Sequence, residues 1–179
     1  MLDELGKNKL LFASYGDSLE VEVRRVFEEL GFTVMEVLPD RDDLILQYND
    51  RIAVVEIKGV LRKSAAERHA AQLEKWVSSY FSDKGIRPKG ILAANPYCEV
   101  PLIDRKEDAF PPQMRPYSEA REHCLITGLQ LLCLYLDCKE DEEKKARMIH
   151  LLFNTKGVFS EYQDWTQFIE LAKTVETTS

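Results

Sequence analysis

The sequence predicts an α/β domain in which helices flank a mixed β-sheet. A helical apolar pattern precedes three short β-rich runs, and a second helical pattern separates them from a fourth run. A chain of 179 residues is long enough to bury one large core. We therefore expect a single domain, 1–179, with an N-terminal extension at 1–16, a core at 17–127 and a helical C-terminal part at 128–179.

The first predicted helix begins at Asp17 and ends at Gly31. Asp17 and Glu20 have the spacing of a capping box, and glycine is typical of the residue that follows a helix. Between them, apolar residues recur at helical intervals: Leu19, Val23, Val26, Phe27 and Leu30. This pattern predicts an amphipathic helix with one buried face.

Three β-rich runs follow, at 32–38, 43–48 and 52–58. Asn49 and Asp50 separate the last two runs and are typical of a hairpin turn. The runs therefore predict an antiparallel meander of three strands.

The rest of the chain alternates between helical and β patterns. A helix is expected at 64–82, a parallel strand at 90–95 and a short strand at 124–127, because a strand that follows a helical crossover joins the sheet in parallel. Further helices are expected at 129–136, 140–154 and 161–172. The acidic run 140–143 favours the start of a helix over a metal site.

A proline-rich segment interrupts this alternation. Five of the seven prolines lie between Pro96 and Pro116, in a stretch that is long for a simple connection. Loops of this kind often carry binding or catalytic residues. We therefore expect a functional loop here.

Charge and composition exclude several classes of protein. A net charge of −7 argues against a protein that binds nucleic acid or membrane over its whole surface. The longest apolar run, 131–136, is too short to cross a bilayer, so a cytoplasmic protein without membrane contact is expected. The four cysteines lack metal-ligand spacing and favour free thiols. Residues 51–90, however, hold nine basic and four acidic residues, which leaves room for a local nucleic-acid groove.

The residues with the clearest chemistry lie on the predicted hairpin. Glu56 and Lys58 are two residues apart on a strand, so their side chains share one face. If the turn has two residues, Tyr48 pairs with Arg51 and Asp43 lies opposite Glu56. Two carboxylates so close repel each other unless a cation lies between them. Carboxylate ligands suit Mg²⁺, with Mn²⁺ as a substitute. The alternative for Asp43, Glu56 and Lys58 is a solvated hairpin face with a cross-strand ion pair.

Asp43, the Glu56-Ile57-Lys58 motif and the order helix, three strands, helix, strand resemble the PD-(D/E)XK nuclease superfamily. The resemblance covers residues 17–95 and implies a restriction-endonuclease-like core (αβββαβ) with additional C-terminal helices. It implies that Asp43 and Glu56 bind Mg²⁺ and that Lys58 assists the attacking water. The Pro39-Asp40 pair departs from the family pattern, because strand alternation places Asp40 on the other face from Asp43.

The same resemblance implies accessory catalytic roles for Glu20 and Gln72. Each has a structural alternative: Glu20 as a capping-box acid, and Gln72 as an ordinary surface residue. Three basic residues that follow the Glu56 strand could bind the phosphates of a nucleic acid or could be solubilising charges: Arg62, Lys63 and Arg68. Trp76 and Tyr80 are expected to belong to the core rather than to stack on bases.

These patterns predict a Mg²⁺-dependent nuclease for restriction, defence or repair, with DNA as a more favoured substrate than RNA. The protein could act as a homodimer or with a partner domain or subunit. The alternative is a catalytically inactive module that retains the nuclease fold and binds nucleic acid or protein.

Overall fold

The helices and strands of the chain are arranged around one sheet. The structure, a computed structural model, describes residues 2–35 and 44–169. The helices are α1 (Leu2–Ala13), α2 (Asp17–Glu29), α3 (Glu67–Lys84), α4 (Met114–Ala120), α5 (Gly128–Cys138) and α6 (Glu142–Asn154). The strands are β1 (Thr33–Val34), β2 (Leu44–Tyr48), β3 (Arg51–Gly59), β4 (Lys89–Asn95), β5 (Cys124–Thr127) and β6 (Gly157–Val158).

The six strands form a single mixed sheet in the order β1 to β6. Strands β1, β2 and β3 are antiparallel, whereas β3, β4, β5 and β6 are parallel to one another. This confirms the predicted meander and the parallel strand that follows the α3 crossover. The change of direction arises because a two-residue turn joins β2 to β3, while a helix joins β3 to β4.

The predicted register of the hairpin is confirmed over the whole described part of β2. Tyr48 pairs with Arg51, and the pairing continues to Leu44 opposite Val55. The turn residue Asn49 adopts a left-handed φ of 53°, which asparagine tolerates better than most residues. Asp43, the residue before this strand, lies outside the described residues.

Each face of the sheet is covered by its own helices and core. On one face, buried side chains of α1, α2, α5 and α6 pack against Val55 and Ile57 of β3. On the other face, α3 and α4 pack against Val54, Leu92 and Leu125. The protein is therefore an α/β fold with a mixed sheet between two helical layers. Among the described residues, none of the helices combines the length and apolar character needed to cross a membrane.

Helices α2 and α6 begin with different N-cap residues, and only the second agrees with the sequence prediction. The capping box at Asp17 and Glu20 is wrong, because Gly16 is the N-cap residue and Asp17 is already helical, with no side-chain cap. Asp141, in contrast, caps α6 by accepting a hydrogen bond from the backbone N–H of Lys144. The acidic run at 140–143 therefore begins a helix, as predicted.

The two ends of the chain differ from the expectation. Residues 1–16 were expected to be an extension, but α1 lies there and packs against α2 and α5, with Leu11 fully buried. The predicted helix 161–172 is wrong over its described part, because 161–169 holds only a short 3₁₀ turn at Trp165–Gln167. Asp164 caps this turn by accepting the N–H of Thr166. The four cysteines are free and buried, as predicted.

Candidate functional site

The Glu56-Ile57-Lys58 motif lies at the middle of the sheet, on the face covered by α3. Glu56 pairs with Leu92 of β4 and is 1% exposed. Lys58 stands on the same face, nearer the end of β3, and its side chain is 32% exposed. The Lys58 side chain is therefore partly accessible to solvent, whereas Glu56 is buried.

An ion pair and a hydrogen bond hold the Glu56 carboxylate. The ammonium of Lys58 lies 3.0 Å from Oε1. The indole N–H of Trp76, on α3, donates a hydrogen bond to Oε2 over 3.1 Å. We call these three residues the Glu56 cluster. Because burial of an unpaired carboxylate is costly, the two contacts explain how an acid is tolerated in the interior of the sheet.

His69 extends the cluster along α3 and was not singled out by the sequence analysis. It is 8% exposed, and its Nδ1 accepts the backbone N–H of Ala66 over 3.1 Å. Burial lowers the pKa of His69, and the charges of Arg68 and Lys58 lower it further. A neutral ring that accepts at Nδ1 carries its proton on Nε2. His69 is thus a neutral hydrogen-bond donor near Lys58.

The signal that could have revealed His69 is its spacing on the helix. His69, Gln72 and Trp76 lie three and four residues apart, which places them along one side of α3. Gln72 is half-buried there, on the side that carries the Trp76 contact to Glu56. Its predicted accessory role stays a prediction. Trp76 and Tyr80 both pack against the α3-side core, as expected.

The end of β3 is fixed by the connection between α1 and α2. A side chain at Gly59 would meet Cβ of Tyr15 at 2.4 Å and its Cα at 2.6 Å, so only glycine fits. The side chain of Asn95, opposite Gly59 on β4, donates to the carbonyl of Ser14 over 2.6 Å. These contacts hold the chain that follows Lys58 in one position.

Glu20 is placed on a different layer from the Glu56 cluster. It lies in α2, whose buried side chains pack on the face of Val55 and Ile57, whereas Glu56 and Lys58 face α3. Glu20 is partly exposed. The buried side of α2 thus belongs to the other helical layer, and the predicted accessory role of Glu20 stays a prediction.

The three predicted phosphate-binding residues are exposed. Arg62 forms an ion pair with Glu99 over 2.9 Å, which matches the alternative of ordinary surface charge. Lys63 lies in the loop after β3, where its carbonyl accepts the N–H of Tyr97. Arg68 lies in the first turn of α3. The phosphate-binding role of all three stays a prediction.

The donor atoms present constrain any metal site. Within residues 2–35 and 44–169, no group of three or more potential ligand residues is close enough to hold a metal ion. Glu56 contributes one carboxylate, and Mg²⁺ sites in proteins use one or two carboxylates together with water. A Mg²⁺ site with two carboxylates here requires Asp43, which lies outside the described residues.

The proline-rich loop lines a cavity of about 470 Å³ beside the carboxyl ends of β4 and β5. The charged groups on its wall are engaged in local contacts. The Arg105 guanidinium donates to the carbonyls of Val100 and Phe12, and Arg115 pairs with Asp108. Contacts within the loop and to α1 therefore engage Arg105 and Arg115, and the predicted functional role of the loop stays a prediction.

Comparisons with known proteins give no identification. No protein-family model, no curated protein and no solved structure matches the chain.

Proposed function

We propose that the protein is a metal-dependent nuclease of the restriction-endonuclease-like type, with the Glu56 cluster at its active site. The observation that carries the proposal is a buried carboxylate on a central strand with an accessible lysine 3.0 Å away. The order α2, β1, β2, β3, α3, β4 supports it, since it matches the core that the resemblance implies.

The confirmed hairpin register supports Asp43 as the partner of Glu56. Leu44 pairs with Val55, and continuation of this register by one residue predicts that Asp43 lies opposite Glu56. In this proposal both carboxylates hold Mg²⁺ or Mn²⁺. When bound, the ion would polarise a phosphodiester and stabilise negative charge on the leaving oxygen.

The chain's own residues have defined tasks in the proposed reaction. Glu56 is held by the indole of Trp76, which leaves the carboxylate little freedom to turn. The Lys58 ammonium, being accessible, orients the attacking water and neutralises charge on the phosphate. Because a bound cation would compete with Lys58 for Glu56, metal binding would release the ammonium towards the substrate.

A cleavage screen tests this proposal. Wild-type protein is incubated with supercoiled plasmid, linear duplex, single-stranded DNA and RNA, in Mg²⁺, in Mn²⁺ and in EDTA. We expect metal-dependent cleavage, with DNA cut in preference to RNA. Lys58→Ala should reduce the rate by at least about 100-fold, the scale of a lost proton-transfer group. Lys9→Ala, which removes an exposed lysine of α1, is the matched control.

The outcome of the screen is decisive when the fold of each variant is verified by circular dichroism. Cleavage retained by both Lys58→Ala and Glu56→Gln would refute the proposal, and so would equal loss in the Lys9→Ala control. The substrate that is cut fastest identifies the nucleic acid on which the protein acts.

One observation favours a second candidate, a non-catalytic module that retains the fold. The Glu56 carboxylate is almost fully buried and is already engaged by the ion pair with Lys58 and the hydrogen bond from Trp76, as expected if its role is structural. For this candidate we expect binding of nucleic acid that weakens with salt, without affinity for divalent cations at Glu56. Titration with Mn²⁺ separates the two candidates.

A further inference from the structure

A second cleft lies at the opposite end of the parallel strands, where β3 and β4 begin. Its volume is about 420 Å³, within the range of small-ligand sites. Five basic and two acidic side chains line it. We call it the basic cleft; its basic residues are Arg51, Arg87, Lys89, Arg121 and Lys156. This cleft is distinct from the Glu56 cluster, because Arg51 and Glu56 are five residues apart on β3, or about 16 Å.

Neutral groups hold two of these cations, Arg51 and Arg121, in place. The Arg51 guanidinium lies 4.1 Å from the centre of the Phe153 ring and donates to the side chain of Asn154. The Arg121 guanidinium lies 3.6 Å from the centre of the Tyr117 ring. Aromatic faces and amide oxygens orient a cation without cancelling its charge. Both guanidinium groups are thus fixed and still positive.

Lys89 adds a third fixed charge. Its ammonium donates to the backbone carbonyls of Glu122 and Thr155, and burial lowers its pKa. Within the part of the chain that the structure describes, neither Lys89 nor Arg51 nor Arg121 forms an ion pair with a carboxylate. The ordering of these groups is therefore achieved before any ligand binds.

The remaining two cations are paired with acids. Arg87 contacts the Glu74 carboxylate over 3.0 Å, and Lys156 contacts Glu122. Lys156 is 60% exposed, so its contact is readily exchanged for another anion. With two of five cations neutralised by partners, the cleft retains a surplus of positive charge.

We propose that the basic cleft is a binding site for a phosphate group. Fixed guanidinium groups suit phosphate because they present several N–H donors in one plane, and two of them, Arg51 and Arg121, line this cleft. The phosphate could belong to a nucleic-acid backbone or to a small phosphorylated molecule. The proposal goes beyond the nuclease function and does not depend on Glu56, Lys58 or a metal ion.

Binding measurements in EDTA test the site without any contribution from divalent cations. The probes are inorganic pyrophosphate, followed by calorimetry, and a fluorescent single-stranded oligonucleotide, followed by anisotropy. We expect pyrophosphate to bind at low salt and to be weakened as salt increases. The double variant Arg51→Gln/Arg121→Gln should bind at least about tenfold more weakly, because two fixed donors are lost.

Matched variants keep the test independent of folding. Lys156→Gln removes one exposed cation and should weaken binding without altering the melting temperature. The double variant Arg24→Gln/Lys9→Gln removes two exposed cations from α1 and α2 and should bind like wild type. The proposal would be overturned if wild type binds neither probe. It would also be overturned if this control loses as much binding as the cleft variants.

The two probes together distinguish the source of the phosphate. If pyrophosphate displaces the oligonucleotide, and the cleft variants lose both, the ligand is a nucleic-acid backbone. If pyrophosphate alone binds at the cleft, the ligand is a small phosphorylated molecule. In the first case Lys156→Gln should also lower the salt dependence of oligonucleotide binding by about one unit of slope.

Discussion

Glu56 and Glu74, two carboxylates on the α3 side of the sheet, differ in the groups that contact them. Glu56 accepts from Trp76 and lies beside the accessible ammonium of Lys58. Glu74, on α3 itself, accepts from Ser78, from Arg87 through both of its oxygens, and lies 2.8 Å from Nε2 of His123. We call Glu74 and these three partners the Glu74 cluster.

The difference separates a structural carboxylate from one suited to chemistry. Burial disfavours the charged form of Glu74, but hydrogen bonds from Arg87, His123 and Ser78 outweigh it and lower its pKa. Its oxygens are saturated with donors that belong to the fold. In the Glu56 cluster one of the contacts is an ion pair with a partly exposed lysine, which a metal ion can replace. The comparison predicts a structural role for Glu74 and a chemical one for Glu56.

The largest expected difference between the clusters is their response to a divalent cation. At a Mn²⁺ concentration 100 times the dissociation constant, binding should stabilise wild-type protein by about 2.7 kcal/mol and raise the melting temperature by several degrees. Glu74→Gln should respond as wild type does, whereas Asp43→Ala and Glu56→Gln should not. Differential scanning fluorimetry with and without Mn²⁺ measures this; an equal response of all four proteins would remove the basis for a metal site.

Loss of the Glu74 carboxylate should destabilise the fold. Glu74→Ala leaves His123 buried without its partner and frees Arg87, at a cost of about 2 kcal/mol, the scale of hydrogen bonds to charged groups. Glu28→Ala, which removes an exposed acid of α2 paired with Arg24, is the control and should cost less than about 1 kcal/mol. Urea unfolding at neutral pH gives both values. Equal costs for the two variants would contradict a structural role for Glu74.

Two buried histidines, His123 in the Glu74 cluster and His69 on α3, should make stability depend on pH. Burial lowers the pKa of His123, with Arg87 and Lys89 adding to the effect although Glu74 opposes it. The pKa of His69 is also lowered. Because the unfolded chain takes up the proton first, stability should be complete above the ordinary histidine value near 6.5. It should fall below that value, by up to about 1.4 kcal/mol per pH unit for each histidine, until the folded pKa is passed.

Substitution of each histidine separates the two contributions. Urea unfolding at pH 7.5 and 5.5 should show a smaller decrease for His123→Gln and for His69→Gln than for wild type, and the smallest for the double variant. A double variant that loses stability as steeply as wild type would show that other groups are responsible.

The smallest expected effect concerns the link between Trp76 and Glu56. Trp76→Phe removes the indole donor but keeps an aromatic ring, so we expect a loss of about 1 kcal/mol. A double-mutant cycle with Glu56→Gln isolates this contact by urea unfolding. A coupling free energy near zero would show that Trp76 contributes packing alone.

The residues of the Glu74 cluster come from separate elements of the fold, which is why the sequence did not predict the cluster. A side chain at Gly90, on β4, would meet the ring of His123 at 2.7 Å. Glu74, Gly90 and His123 come from α3, β4 and the residue before β5, and no short motif links them. The same holds for the basic cleft, whose cations come from the starts of separate strands and the loops before them. Only the parallel packing of these strands brings such residues together.

Local patterns, in contrast, determined much of the architecture. Alternation of apolar residues and the Asn49-Asp50 turn predicted the meander, and they predicted its register on the condition that the turn has two residues, since such a turn fixes every pair that follows. Strand alternation was likewise sufficient to place Glu56 and Lys58 on one face. The capping box at Asp17 was wrong because the preceding Gly16 supplies the N-cap. The helix α1 was missed because no N-cap or glycine stop marks its bounds.

What the sequence by itself determined is the α/β class, the succession of strands β1 to β5 and the shared face of Glu56 and Lys58, because these depend on periods of two and of about 3.6 residues. The tertiary structure decided which helix covers which face. It placed Trp76 at the Glu56 cluster, put the buried side of α2 on the opposite helical layer, and gathered five cations into the basic cleft. Those contacts join residues far apart in the chain, and their energies appear only when the packed sheet brings the side chains within hydrogen-bonding distance.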